Sequence, residues 1–267
     1  MENQNSLKSE GFAVHTDVYK GITIDSKDQD FKDDAEFDQC LTNAIPKWQE
    51  KRVRGLWVKI DVKHSSLVPV CAKHGFDFNH AQPGYVMMTR WLSTEQNRLP
   101  EYANQYLGVA GIVINDKGEM LVIQERFNVV APHWKLPGGL ADKGEDIAQT
   151  AKREVYEETG IEAEFVSVIC FRHQHNFRFG CSDFYFVCLM KPVGGEIRPC
   201  PHEIAACKWI DVDEFLSNPH LQPNLKLIVE SYKNRQKNGN VGIIPQPSLH
   251  YNKKSYVNIY SIQQLNQ

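Results

Sequence analysis

Apolar positions in the first hundred residues repeat at helical spacing in some stretches and at strand spacing in others. Phe37, Leu41, Ile45 and Trp48 recur at intervals of three and four, which predicts one amphipathic helix over residues 34–50. Shorter apolar runs bounded by turn residues predict strands before and after it. The predicted elements form a β-α-β-α-β-β unit: a strand at residues 22–24, a helix at 34–50, a strand at 55–60, a helix at 67–72, and strands at 76–81 and 85–91.

A polar, proline-containing segment, residues 93–104, separates this unit from a second mixed pattern. The second pattern predicts strands at 109–114, 120–124, 164–172, 183–190 and 205–210, and helices at 146–158, 212–216 and 224–233. We therefore predict an α/β (α+β) fold with two domains, residues 20–98 and 104–235. A flexible N-terminus at 1–19 precedes them, and a polar C-terminal tail at 236–267 follows them.

Composition and charge exclude several classes of protein. The chain has 267 residues, 42% hydrophobic and 24% charged, with a net charge of -3, so a packed core is expected and a basic nucleic-acid-binding stripe is not. No apolar run has the roughly 20 residues that cross a bilayer, so no membrane partner is expected. The seven cysteines form no Cys-x-x-Cys pair, which argues against zinc and favours reduced thiols in the cytosol or nucleus.

The segment from Gly139 to Ile161 carries the strongest chemical signal. Its predicted helix places Glu154, Glu157 and Glu158 at intervals of three and four, so the three carboxylates share one side. Like charges at this spacing repel by about 0.2–0.5 kcal/mol per pair. A hard cation such as Mg²⁺ turns the same arrangement into a binding site, because that ion prefers carboxylate oxygens.

Residues flanking these glutamates have predicted structural roles. Gly138 and Gly139 allow the backbone to turn tightly and approach a metal or phosphate closely. Gly160 stands where a left-handed helix cap is expected. Arg153 is expected to face away from the metal carboxylates and to pair with Glu145, bracing the preceding loop.

This segment resembles the Nudix box, the pattern Gly-x5-Glu-x7-Arg-Glu-aliphatic-x-Glu-Glu-x-Gly-aliphatic. Every specified position is matched, by Gly139, Glu145, Arg153, Glu154, Val155, Glu157, Glu158, Gly160 and Ile161. The resemblance implies a Nudix α/β/α sandwich and a pyrophosphohydrolase of nucleoside diphosphates linked to another moiety. It also implies a Mg²⁺ cofactor, for which Mn²⁺ can substitute, and a small-molecule nucleotide substrate.

The resemblance also suggests roles for individual residues. Glu154, Glu157, Glu158 and the backbone at Gly139 would hold the metal, and Arg153 would assist catalysis. Two glutamates are candidates for the general base, Glu157 and Glu203. Glu203 precedes a predicted strand and resembles the extra acidic residue that other members bring to the metal; the alternative is a plain loop carboxylate.

Substrate contacts are expected from residues near the presumed cleft: Arg126, Trp134, Lys135, Phe171, His173 and His175. For Arg126 the alternative is a surface salt bridge, and for Trp134 it is an ordinary core position. His173 and His175 lie two apart, so both point to one side of a strand. Zinc ligation by this pair has no third ligand in evidence.

Three strings in the N-terminal unit narrow the family. RGLWVKI, KHGFDFNHA and YVMMTRWL resemble the pre-Nudix region of the nucleoside diphosphate-linked moiety X motif 6 family, which includes the antisense basic fibroblast growth factor protein and plant ADP-ribose/NADH pyrophosphatases. This resemblance covers about residues 20–235. It implies an acetyltransferase-like first domain, although no pyrophosphate loop for acetyl-CoA is present, and ADP-ribose or NADH as substrate. A homodimer is expected, with Trp57, Met88 and Trp91 either in a dimer or interdomain surface or in the domain core.

Two other functions stay open at the level of sequence. A regulatory protein of Nudix fold would bind a nucleotide with little turnover. RNA decapping would require the basic surface that the charge balance does not provide.

Overall fold

The chain divides between Ala103 and Asn104 into two units, each with its own sheet and its own hydrophobic core. The computed structural model describes residues 7–127, 133–237, 241–249 and 256–264. All seven cysteines lie within these ranges and are free thiols. No helix in the described ranges combines the length and apolar character needed to cross a bilayer.

The first unit is a six-stranded sheet with its two helices packed on one face. Residues of both helices share a buried cluster with alternate residues of the strands, such as Ile22, Ile24, Leu56 and Val58. The sheet order is β1-β2-β3-β4-β6-β5, parallel only between β3 and β4. The elements are β1 (Leu7–Ser9), β2 (Phe12–Thr16), β3 (Gly21–Asp25), α1 (Asp34–Glu50), β4 (Gly55–Asp61), α2 (Leu67–Lys73), β5 (Asp77–Gln82) and β6 (Tyr85–Trp91).

From β3 onward the predicted β-α-β-α-β-β order is confirmed, and the acetyltransferase resemblance stays a prediction. The three residues considered for an interface divide between the two faces of the sheet. Met88 is 1% exposed and belongs to the core between sheet and helices. Trp57 and Trp91 are half-buried and lie on the face opposite that core.

The N-terminal prediction is wrong for residues 7–16, which form the hairpin β1–β2 instead of a flexible segment. Phe12 and Val14 are completely buried, and the Trp48 indole N–H donates to Ser9 Oγ at 2.9 Å. The alternation of two apolar residues is too short to predict a strand, because the hairpin is stabilised by a helix distant in sequence. Residues 1–6 of that prediction lie outside the described residues.

The second unit has the predicted three layers, with helices on both faces of a mixed sheet. Cores lie on both faces: α3 packs on one, α4 and α5 pack on the other, and β8 and β12 contribute residues to both. The main sheet has the order β14-β13-β10-β11-β7-β9, and β8 pairs with β12. The elements are β7 (Gln105–Val113), β8 (Glu119–Glu125), β9 (Gly138–Leu140), α3 (Ile147–Thr159), β10 (Ile161–Gln174), β11 (Ser182–Gly195), β12 (Ile204–Asp211), α4 (Val212–Ser217), α5 (Pro223–Lys237), β13 (Val241–Leu249) and β14 (Tyr256–Gln264).

The prediction of a polar tail at residues 236–267 is also wrong for the residues that the structure describes. Residues 236 and 237 end α5, and the other described residues form the antiparallel hairpin β13–β14, which continues the main sheet where Ile243 pairs with Val168. Strand β13 contains the prolines at 245 and 247, which are tolerated in strands near a sheet edge. Residues 238–240, 250–255 and 265–267 of the predicted tail lie outside the described residues.

Candidate active site

Helix α3 forms the base of the candidate site and lies directly against β7. Ala151 and Val155 are buried, and a Cβ on Gly111 would lie 2.7 Å from Val155 Cγ2, so a glycine in β7 is what permits this close packing. The helix ends at Gly160, whose φ of 75° is the left-handed cap conformation. This packing leaves the side of α3 that carries the glutamates facing β9.

Strand β9 brings two glycines against that side of the helix. A Cβ on Gly138 would lie 2.2 Å from the carbonyl oxygen of Val109, in the neighbouring strand, and the φ of Gly138 is 155°. A Cβ on Gly139 would lie 2.6 Å from Glu154 Oε1. Only glycine therefore lets the backbone of β9 and the Glu154 carboxylate approach one another as closely as they do.

The three predicted metal glutamates share one side of α3 but lie at different depths. Glu158 is buried at 6% exposure, and its Oε2 accepts the Gly138 N–H at 2.6 Å. The Glu154 side chain is 14% exposed and that of Glu157 is 57% exposed. Within the described residues, no three His, Cys, Asp or Glu side chains converge closely enough to hold an ion.

Burial controls the charge state of the two deeper glutamates. It raises the pKa of Glu158 to about 7, against the opposing effect of the positive charge of Lys135. Burial also raises the pKa of Glu154, which Arg153 partly offsets by hydrogen bonding. Both carboxylates are thus desolvated, and a nearby cation would stabilise their charged forms.

Arg153 was expected to face away from the metal carboxylates, and this prediction is wrong. Its guanidinium donates to Glu145 at 2.7 and 2.8 Å and to the Leu140 carbonyl at 3.1 Å, which braces the loop as predicted. It also donates to Glu154 at 2.8 Å and to Glu157 at 3.1 Å. The helical position of Cα does not fix the direction of such a long side chain, whose five N–H donors serve several acceptors at once.

The Arg153–Glu145 pair has the largest electrostatic effect in this loop. Hydrogen bonds from Arg153 hold the pKa of Glu145 at about 2, with further contributions from the Asp142 N–H and the Thr150 hydroxyl. In turn, hydrogen bonds to Glu145, and then to Glu154 and Glu157, raise the pKa of Arg153. Glu145 is therefore a charged brace for the loop and not a proton donor at neutral pH.

Glu203 reaches the site through a loop that is tied to the end of α3. The Arg198 N–H donates to the Thr159 carbonyl at 2.7 Å, and the Cys200 N–H donates to the Glu158 carbonyl at 3.1 Å. The exposed Glu203 follows, and its negative charge adds to the burial that raises the pKa of Glu154. Glu203 therefore acts electrostatically on Glu154, and its role at the metal stays a prediction.

Three predicted substrate contacts lie on or beside β8. The exposed Arg126 donates its backbone N–H to the Glu203 carbonyl at 2.7 Å, which places the two residues side by side. Lys135 pairs with β8 through Ile123, and its ammonium group contacts Glu125. Trp134 is partly buried against the core, with the Lys208 ammonium 4.8 Å from its ring centroid, and its contact with substrate stays a prediction.

The other three predicted contacts, Phe171, His173 and His175, lie at the end of β10 or just beyond it. His173 stacks on Phe184 with ring centroids 4.2 Å apart, and Phe171 lies 5.5 Å from the Phe186 ring. His175 Nδ1 lies 2.9 Å from Ser182 Oγ. Side chains alternate along a strand, so Phe171 and His173 lie on the face of the sheet opposite Arg172 and Tyr185.

That opposite face carries a cluster that the sequence did not single out. Arg172 donates to Asp183 at 2.7 Å, and its guanidinium lies 4.9 Å from the Tyr185 ring centroid. Asp183 is 2% exposed, and the Arg172 Nε is buried without a partner among the described residues. Burial raises the pKa of Tyr185, and the charge of Glu158 adds to this, so the cluster borders the glutamates. The available signal was the alternation of Asp183 and Tyr185 within an otherwise apolar run.

Comparisons with known proteins agree with the motif. Two family profiles match: one described as NUDIX domain over residues 104–230, and one described as Nudix hydrolase domain over residues 12–92. The chain is 36% identical over 237 residues to Nudix hydrolase 8 of Arabidopsis thaliana, which covers 87% of this chain and 64% of that protein. It is 40% identical over 194 residues to Nucleoside diphosphate-linked moiety X motif 6 of Mus musculus, covering 72% and 62%.

A third relative has the same name in Xenopus laevis and is 46% identical over 154 residues, covering 57% of this chain and 70% of that protein. The chain spans just under two thirds of the length of the Arabidopsis and mouse relatives.

Proposed function

The chain belongs to the Nudix hydrolase family, and from this premise we propose that it is a Mg²⁺-dependent pyrophosphohydrolase of nucleoside diphosphates linked to another moiety. The two resemblances found in the sequence, to the Nudix box and to the moiety X motif 6 family, are confirmed by the matches above. The observation that carries the proposal is the contact between β9 and α3, where Gly139 admits the Glu154 carboxylate and Glu158 is buried beside it.

The donor set suits a hard divalent cation. Glu154, Glu157 and Glu158 offer only carboxylate oxygens, and the backbone of Gly139 approaches the Glu154 carboxylate closely. Desolvated carboxylates with raised pKa values are the groups that a cation would neutralise. Mg²⁺, or Mn²⁺ in its place, would neutralise the pyrophosphate and favour attack by water on phosphorus.

Arg153 has a positioning role in this proposal. In the described structure it holds Glu154 and Glu157 and braces the loop through Glu145. Release of the two glutamates would free them for an ion while the bond to Glu145 keeps the loop in place. Arg153 thereby keeps the acidic side of α3 ordered before the cation binds.

Glu157 is our first candidate for the general base, and Glu203 is the second. Glu157 is the most exposed of the three helix glutamates, so water can approach its carboxylate. Glu203 approaches from the opposite loop and borders Glu154 electrostatically. A base within hydrogen-bonding distance of the attacking water takes its proton as the bond to phosphorus forms.

The substrate would lie between β8 and the face of β11 that carries Tyr185. Arg126 and Lys135 offer positive charge for phosphate oxygens, and Trp134 offers an aromatic ring. The moiety X motif 6 resemblance favours ADP-ribose or NADH, either of which would release AMP. Residence in the cytosol or nucleus and a homodimeric state remain proposals of the same kind.

A substrate panel tests the proposal directly. The full chain is incubated with Mg²⁺ and, separately, ADP-ribose, NADH, other nucleoside diphosphate derivatives and capped RNA. We expect AMP to be released from ADP-ribose or NADH and release to stop when EDTA removes the metal. Tight binding of the same compounds without any AMP release would instead support a regulatory nucleotide-binding protein.

A further inference from the structure

The sheet face of the first unit that lies opposite its helices is crossed by the chain that follows β6, residues 93–102. Leu99 packs against β4 so closely that a Cβ on Gly55 would lie 2.6 Å from its Cδ2. Tyr102 stacks on His80 with ring centroids 4.3 Å apart, and Asn79 donates to the Pro100 carbonyl at 3.2 Å. These contacts hold the segment against the sheet.

A groove of about 700 Å³ lies between that segment and the sheet. We call it the linker groove; its lining includes Asp17, Tyr19, Trp57, Trp91, Arg98 and Leu99. Small-molecule sites commonly have volumes of about 300–1,000 Å³, with an apolar lining and a few polar groups. All residues of the groove belong to the first unit, so it is separate from the glutamates of α3.

The aromatic part of the groove is held in a fixed geometry. The Trp91 indole N–H donates to the Glu95 carbonyl at 2.8 Å, and the Arg54 guanidinium lies 5.2 Å from its ring centroid. Arg54 also pairs with Glu95 at 3.1 Å. Trp57 is half-buried in the neighbouring strand, on the same face. The fixed Trp91 indole, with Trp57 beside it, offers a planar ring a stacking surface at small entropic cost.

The polar groups at the rim are complementary to a phosphate and to hydroxyl groups. Arg98 lines the groove and makes no ion pair or hydrogen bond with any residue that the structure describes. The Asp17 Oδ1 accepts the N–H groups of Tyr19 and Gly21 at 2.7 and 2.8 Å, and no described donor bonds to its Oδ2. A guanidinium is the preferred partner of phosphate oxygens, and a carboxylate oxygen accepts hydrogen bonds from sugar hydroxyls.

We propose that the linker groove binds a nucleoside monophosphate, with the base against Trp57 and Trp91, the phosphate at Arg98 and the ribose hydroxyls at Asp17. Ring, hydroxyl groups and phosphate are the three chemical parts of such a ligand, and the groove has one matching feature for each. An apolar partner alone would leave Arg98 and the Asp17 carboxylate without complementary groups.

The five tryptophans provide a readout for each unit. Trp48, Trp57 and Trp91 belong to the first unit, and Trp134 and Trp209 to the second. AMP is titrated into the ¹⁵N-labelled full chain without Mg²⁺, and the indole N–H signals are assigned from single Trp→Phe variants. We expect the signals of Trp57 and Trp91 to shift with saturation while that of the core residue Trp48 stays in place.

Two variants separate the contribution of the phosphate. Arg98→Ala should weaken AMP binding at this site about tenfold, in line with the loss of one charge-assisted contact. Lys63→Ala removes an exposed charge of the same unit outside the groove and should leave binding unchanged. Adenosine lacks the phosphate, so it should bind the wild type more weakly than AMP does and should bind Arg98→Ala as tightly as it binds the wild type. Inorganic phosphate alone should not shift the indole signals.

Three results would overturn the proposal. Shifts confined to Trp134 and Trp209 would restrict AMP to the second unit. Shifts of Trp57 and Trp91 that follow protein concentration without AMP would assign the groove to a second copy of the chain. Equal binding of AMP by the wild type and Arg98→Ala would show that Arg98 does not hold the phosphate. None of these readings requires turnover, so the test is independent of the proposed hydrolase activity.

Discussion

Gly139 is the residue at which backbone geometry and the acidic cluster meet. Gly139→Ala would place a methyl group 2.6 Å from Glu154 Oε1, and the side chain, not the strand, would have to move. We expect kcat to fall about tenfold or more while the unfolding temperature stays close to that of the wild type, because moving a carboxylate disturbs the site more than the core. Steady-state kinetics and thermal melting of both proteins check this.

The matched control is Gly194→Ala in β11. There the new Cβ would lie 3.2 Å from the flexible Glu162 carboxylate, away from the site, so activity should be unchanged. Equal loss of activity in both variants would mean that general damage to the sheet, not displacement of Glu154, explains the result.

Glu157 gives a second test at the scale of single residues. Glu157→Gln keeps the size of a side chain that is 57% exposed, so stability should hardly change. If Glu157 binds the metal or acts as the base, kcat should fall by about 100-fold or more, equivalent to about 2.7 kcal/mol in the barrier. Turnover near that of the wild type would refute the role of Glu157, and Glu203→Gln would then be the next variant to measure.

Sequence spacing predicted the residues of the box well, because a helix converts intervals of three and four into one side of a cylinder. It did not predict what long side chains do with that position: Arg153 bonds to Glu154 and Glu157 despite its predicted direction. It did not predict that Arg172, on the other face of β10 from Phe171 and His173, pairs with Asp183. The strand has register irregularities before Cys170, and simple alternation of residues does not reveal them.

At the scale of elements, prediction succeeded where the stabilising contacts are local. Helix α1 has the predicted bounds, because its apolar stripe and its Asp33 cap lie within its own segment. Both hairpins at the chain ends were missed, because β1–β2 packs on α1 and β13–β14 extends the sheet from β10. Partners so distant in sequence leave no local pattern to read.

The hairpin β1–β2 is tied to α1 by a charge cluster whose effect on stability depends on pH. The Glu10 carboxylate lies 2.9 Å from Lys47 Nζ and 2.5 Å from Lys51 Nζ, and hydrogen bonds from these two lysines lower the pKa of Glu10. A carboxyl group whose pKa is lower in the folded state stabilises that state above its unfolded pKa of about 4.3 and loses this contribution as pH falls through the folded value.

Glu10→Gln should therefore destabilise the protein at pH 7, and the difference from the wild type should shrink at acid pH. Urea unfolding of both proteins at pH 7 and at pH 3 measures this difference. Glu101→Gln, which changes an exposed carboxyl group outside the cluster, should show no such difference at either pH. A Glu10→Gln effect of the same size at both pH values would contradict the charge argument.

At the scale of the whole molecule, the protein has a buried acidic group that its fold alone does not neutralise. Glu158 is 6% exposed, and burial raises its pKa to about 7. A desolvated carboxylate costs folding free energy unless a partner compensates it. Functional sites commonly keep such destabilising groups. Without a cation, the buried Glu158 carboxylate should therefore lower the free energy of unfolding of the second unit.

Mg²⁺ should consequently raise the unfolding temperature of the wild type. A ligand present at 100 times its dissociation constant adds about 2.7 kcal/mol when it binds only the folded state. Glu158→Gln keeps the shape and an acceptor for the Gly138 N–H but removes the charge. Without divalent cations this variant should unfold at the same temperature as the wild type or higher, and Mg²⁺ should raise its unfolding temperature little.

The order of the two unfolding temperatures, wild type and Glu158→Gln, should reverse when Mg²⁺ is added. This reversal distinguishes a metal site from an ordinary buried acid. A purely structural Glu158 would make the Gln variant less stable in every buffer, and Mg²⁺ would shift neither protein. A metal ligand makes the wild type the more stable protein only when the cation is present. Calorimetry of both proteins in EDTA and in millimolar Mg²⁺ therefore tests, without any substrate, whether the acidic side of α3 is built to hold an ion.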